Sequence, residues 1–132
     1  MGSSSLVGNL FDGSVKADAD GNVSISGDLV VSGSTTTVST SNTTLADQLI
    51  ELGSGRTGSA SGDAGIIIER GSDTNVFLGF DESEDKVTFA TTSATGASTG
   101  DLTLTDAALK TGAITASGDI STTGEVKTAK VS

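Results

Sequence analysis

From Gly100 the chain advances six residues at a time, as GDLTLT, DAALKT, GAITAS, GDISTT and GEVKTA followed by KVS, without a slip to its last residue. A strict short period constrains the fold strongly, because every unit has to repeat one local structure. Gly100, Gly112, Gly118 and Gly124 share the first place, with Asp106 and Lys130 as the exceptions, and Leu102, Ala108, Ile114, Ile120 and Val126 share the third. Since six is even, an extended chain puts all the third places on one face and the Ser, Thr and Asp between them on the other. The same unit reads GNVSIS from Gly21 and GDLVVS from Gly27, ending at Gly33, with Val23, Ile25, Leu29 and Val31 in the apolar places. A glycine at each boundary can take a positive φ or admit a close neighbour, so each hexad is expected to be one short strand and one bend.

Two architectures use such units. In a left-handed β-helix made from one chain, about three hexads close each triangular coil, and an array needs at least about three repeats to be stable. The five complete C-terminal hexads fall short of two coils. In a homotrimer each chain supplies one side of every layer, so the same five hexads build several closed layers and leave no free strand edge. The expected fold is therefore all-β, a homotrimeric β-helical or β-prism fibre.

Composition agrees with a shared core. Hydrophobic residues make up 34% and aromatic residues 3%, with four Phe and no Trp or Tyr. Few large side chains are on offer for a monomeric core, yet charge at 18% is too low for a chain kept unfolded by repulsion. Abundant Ser, Thr and Gly with no Pro suit short strands and tight turns. Cys is absent, which closes the disulfide route to stability. A net charge of −10 argues against nucleic acid or an anionic membrane as partner. No apolar run has the length of a membrane-spanning helix, and Met1-Gly2-Ser3-Ser4-Ser5 lacks the basic and apolar parts of a signal peptide.

Between the two arrays, Thr44-Leu45-Ala46-Asp47 has the spacing of a capped helix start, Leu45, Leu49 and Leu52 fall on one helical face, and Gly53 follows as a stop. This pattern predicts a short helix over 45–52, with a strand over 48–52 as the competing reading. Residues 53–65 form a polar glycine-rich loop. GIIIER, NVFLGF and KVTFATT then alternate with turn-rich segments, which predicts a small antiparallel β-meander. Ile66, Ile68, Phe77 and Phe89 are assigned to its core, with Ile67, Leu78, Phe80 and Val87 competing for the opposite face. Strands apolar on both faces imply that both faces are covered.

Several segments in the run from Thr37 to Thr105 carry a family resemblance: VSTSNTT from Val38, DQLIEL from Asp47, GIIIERG from Gly65, FLGFDES from Phe77 and ATGASTG from Ala94. In this order they resemble the repeated structural domains of tail-fibre and other virion proteins of marine phages, including those that infect cyanobacteria. The resemblance covers about half the chain. It implies an extended, usually trimeric fibre or appendage and brings no catalytic motif.

Other motifs weaken in context. Gly53-Ser54-Gly55-Arg56-Thr57-Gly58 spells GxGxxG, but the dinucleotide fingerprint needs a strand before it and a helix after it, and Ser59 stands where a P-loop needs lysine. Asp18-Ala19-Asp20-Gly21-Asn22 resembles the centre of a Ca²⁺ loop, yet Lys16 and Gly27 occupy its end positions, so a turn closed by Asx hydrogen bonds is expected. A weak Ca²⁺ site completed by another chain is the alternative. Asp81, Glu82, Glu84 and Asp85 read as a solvated hairpin tip, since neither an aromatic sugar platform nor an apolar pocket accompanies these carboxylates. With no His, Cys or Tyr, the common nucleophilic triads and zinc sites cannot be assembled. A Ser–Lys pair would need a buried lysine, and the lysines here lie in or beside turns and repeat strands.

The expected organisation is an N-terminal attachment segment at 1–20, hexad strands at 21–44, the short helix, loop and meander at 45–99, and the hexad array at 100–132. The expected function is non-catalytic: a trimeric virion fibre or appendage without catalytic, cofactor-binding or metal-binding residues. It is assembled in the host cytoplasm, exposed to the extracellular medium and partnered by itself and other virion proteins. The alternatives are an adhesin tip for a bacterial surface glycan, a capsid decoration protein and a self-polymerising filament. The scarcity of exposed aromatic or Arg anchors lowers the adhesin reading.

Overall fold

The computed structural model describes residues 13–127. Residues 1–12 of the expected attachment segment and 128–132 of the C-terminal array lie outside the described residues. The chain divides between Ala46 and Asp47 into two units. Every regular element among the described residues is a strand, and every pairing is antiparallel.

In the first unit β1 (Val15–Ala17) pairs with β2 (Val23–Ile25). Val15 lies opposite Ile25 and Ala17 opposite Val23, so the two hexad positions of β2 share a face with the small residues of β1. Asp18 and Gly21 close the turn, with the Gly21 N–H donating to the Asp18 carbonyl at 3.2 Å. Residues 27–44 contain no strand or helix.

The second unit holds a four-stranded sheet in the order β3 (Ala64–Arg70), β4 (Asp73–Asp81), β5 (Lys86–Thr92) and β6 (Thr105–Asp106). The first three strands are the meander expected from the sequence. Arg70 pairs with Asp73, which leaves Gly71-Ser72 as a two-residue hairpin loop. Gly71 takes φ 72°, the left-handed first position of a type II′ turn, whose twist matches the flanking strands. Asp81 pairs with Lys86 across a four-residue loop, in which Asp85 is the one non-glycine residue at positive φ among those described, at 55°.

The helix expected over 45–52 does not form, nor does the competing strand over 48–52. Leu45, Leu49 and Leu52 are 61%, 87% and 55% exposed. A stripe of this length is marginal in water, since most of a short helix's stability comes from packing its apolar face, and none of the described residues covers it.

The register also corrects the expected core. Leu78 lies opposite Ile66 on one side and Phe89 on the other, while Phe77 lies opposite Ile67 and Ala90. Directly opposed residues share a face, so Ile66, Ile68 and Phe89 side with Leu78, Phe80 and Val87, and Phe77 belongs to the other face with Ile67. Phe77 is the buried centre, 1% exposed, beside Ala90 and Thr92. Its ring lies across Gly65 and Gly79, which face each other in the register. Glycine is required at both positions, because a Cβ there would meet backbone atoms as well as the ring.

The segment leading to β6 is tied across this face. The Asp63 N–H donates to the Gly100 carbonyl at 3.1 Å, and the Thr92 hydroxyl donates to the Thr103 carbonyl at 2.8 Å. The hexads after it behave differently. Ile114, Ile120 and Val126 are 66%, 68% and 67% exposed, and residues 107–127 contain no strand. Gly112, Gly118 and Gly124 lie in open space without a positive φ, so neither reason for a boundary glycine operates within one chain.

Candidate functional site: an uncovered sheet face

The acidic turns are built for backbone order. Asp18 Oδ1 accepts the N–H groups of Asp20 and Asn22 at 3.0 and 2.9 Å, and Oδ2 accepts the Asn22 side-chain amide at 2.9 Å. The amide of Asn22 is the main reason the Asp18 carboxyl titrates below its ordinary 3.8. Both oxygens are thus engaged in an Asx turn closing the β1–β2 hairpin.

At the β4–β5 tip, Asp81 Oδ1 accepts the Ser83 hydroxyl at 2.7 Å and the Glu84 N–H at 3.0 Å. The Ser83 bond leads in holding the Asp81 carboxyl below 3.8, against the desolvation that opposes it. Glu84 instead pairs with Lys86 at 3.3 Å on the exposed side, a contact that contributes little. The four carboxylates at 81–85 are thereby separated: Asp81 is buried under the tip, Glu82 is half-buried, and Glu84 and Asp85 face solvent. No group of three or more acidic side chains placed to hold a metal ion occurs among the described residues.

The GSGRTG segment at 53–58 is a loop preceded and followed by irregular chain, without the strand and helix of a dinucleotide site. The Arg56 N–H bonds to the Gly53 carbonyl at 3.2 Å, and its guanidinium donates to the Ser61 carbonyl, folding the loop on itself. An open cleft of about 520 Å³ follows, lined by Arg56, Ser61, Asp63, Ser98, Gly100 and Asp101 among others. Asp63 is its most engaged member. Oδ1 accepts the Glu82 N–H at 2.9 Å and Oδ2 accepts the Leu102 N–H at 2.8 Å, so one carboxylate joins the β4–β5 tip to the segment ahead of β6. Sequence reading passed over Asp63, because a bond spanning 39 residues leaves no local trace.

The remaining feature is the second sheet face. Ile66, Ile68, Val87 and Phe89 are 52%, 46%, 73% and 45% exposed, alongside half-buried Val76, Leu78 and Phe80. Together they leave on the order of 400 Å² of apolar surface on one face of the sheet, the size of the largest apolar patch on a typical monomer and often a functional one. The sheet thus carries one face covered by its own chain and one left open. Comparison with protein-family models, with characterised proteins and with solved structures returns no match to this chain.

Proposed function

We propose that this chain is a non-catalytic structural element of a virion, a homotrimeric fibre or appendage in which three copies share the core that one copy lacks. One observation carries the reading: Phe77 and Ala90 are the buried apolar side chains among the described residues, whereas large apolar side chains from Val23 to Val126 are exposed. A sequence that keeps apolar residues in strict register and leaves them uncovered is built to bury them against other chains. The parity of Leu102, Ile114, Ile120 and Val126 supports hexads stacked as layers around a common axis, and the resemblance to marine-phage virion proteins supports the setting.

The test uses one hexad. In a layered trimer, Ile120→Asp places three carboxylates near the axis and costs several kcal/mol through unpaired buried charge. Ser121→Asp, one residue on, faces water and shifts stability by no more than about 0.5 kcal/mol. Light scattering coupled to size exclusion is expected to show a trimer that survives Ser121→Asp and is weakened by Ile120→Asp. A well-folded wild-type monomer at micromolar concentration, or two equally harmless substitutions, would overturn the proposal.

A further inference from the structure

We infer that the open apolar face of the β3–β5 sheet is the surface through which copies of this chain meet, with Ile66, Ile68, Val87 and Phe89 packed against the same face of the neighbouring copies around a common axis. This deepens the self-association reading, on which it rests, by assigning the surface.

Three observations bear on neighbouring copies as the occupant. First, the described residues do not cover this face. Phe77 and Phe89 belong to the same sheet, yet the first is 1% exposed beneath its own chain and the second 45%. The segment leading to β6 is bonded to Asp63 and Thr92 over the Phe77 face, and the chain beyond Ala107 remains largely exposed.

Second, charge restricts where two copies can touch. At a net charge of −10 two copies repel each other, and least when they meet through a surface without carboxylates. The face from Ile66 to Phe89 qualifies. Asp81 is on the other side, Glu82, Glu84 and Asp85 are at one turn, and Asp73 is at the other, paired with Arg70 at 3.7 Å. An acidic rim around an uncharged centre lets identical faces meet without placing carboxylates opposite one another.

Third, the area sets how much of an interface this face supplies. About 400 Å² of apolar sheet is roughly half of what each partner buries in a stable complex, so the exposed hexad positions are needed for the remainder.

The chain lacks Cys, so an introduced thiol reports a contact without background. Val87→Cys places a thiol on the open face, and Thr88→Cys places one a residue later on the covered face. With a short bis-maleimide on the full chain, the Val87→Cys variant is expected to give covalent oligomers and the Thr88→Cys variant none. Phe89→Glu is expected to raise the concentration at which the oligomer dissociates at least ten-fold while keeping the strand signal in circular dichroism. If Phe89→Glu loses that signal, the cross-linking pair alone decides. Wild-type trimers together with equal cross-linking of the two thiols, or with no cross-linking of either, would overturn this surface and leave self-association standing. A wild-type monomer would overturn both proposals. A dimer cross-linked through the Val87→Cys variant would uphold the surface and overturn the threefold reading.

Discussion

Replacing Gly79 with alanine probes how the sheet holds its one buried aromatic ring. Gly79 lies directly opposite Gly65, and the Phe77 ring spans the hollow that the two glycines leave. A methyl group on Gly79 would sit 2.5 Å from Phe77 Cζ and 2.7 Å from Gly65 Cα, and would press on the Ala64 carbonyl oxygen. The ring can turn away, but a backbone atom in a paired strand moves only by disturbing the ladder. Overpacking of this kind costs about 1–3 kcal/mol, and a displaced Phe77 forfeits part of the roughly 1.5–3 kcal/mol that its burial contributes. Alanine returns about 0.5–1 kcal/mol by restricting the unfolded chain. The net expectation is a loss of about 2 kcal/mol, which lowers Tm by roughly 10 °C in a domain of this size. Gly112→Ala is the matched control, since Gly112 has an open surround and no positive φ, and it should leave Tm unchanged or raise it slightly. Thermal melts followed by circular dichroism at fixed protein concentration measure both, the concentration being held because association itself shifts Tm. If Gly79→Ala melts at or above the wild type, the ring is not seated on the glycine pair and the account of the covered face is wrong.

Two further predictions concern the carboxylates beneath the sheet. Asp63→Ala removes two charge-assisted hydrogen bonds, to the Glu82 and Leu102 amides, and should cost about 2–3 kcal/mol, with faster hydrogen exchange at both amides; unchanged protection would refute the joining role. Asp81 has a folded-state pKa below its ordinary 3.8, so its stabilising effect is fully present above that value and is lost as pH falls through the lower folded value. The Glu84 amide resonance should therefore titrate with a midpoint below 3.8, and Asp81→Asn should abolish that step; a midpoint above 3.8 would contradict the Ser83 and Glu84 bonds.

Sequence alone was sufficient for the elements whose causes are local. Alternation and β-branched residues mark the three long strands, and Gly71 and the acidic run at 81–85 mark their turns. Asp18 closes its hairpin with bonds to residues no more than four positions away, so that turn was also legible. The helix expected over 45–52 failed because its pattern was local and its stabilisation was not: the three leucines found no surface to pack on. Which face of the meander forms the core was decided by tertiary structure. β4 is apolar at Val76, Leu78 and Phe80 on one face and at Phe77 on the other, so a period of two points to the face that the structure leaves open. The choice came from the pairing of Gly65 with Gly79, which leaves room for a ring on one side only, and from a segment some forty residues on that Asp63 binds over that side. Close approach and long-range hydrogen bonding depend on where distant parts of the chain meet, and hydrophobic pattern carries no record of that.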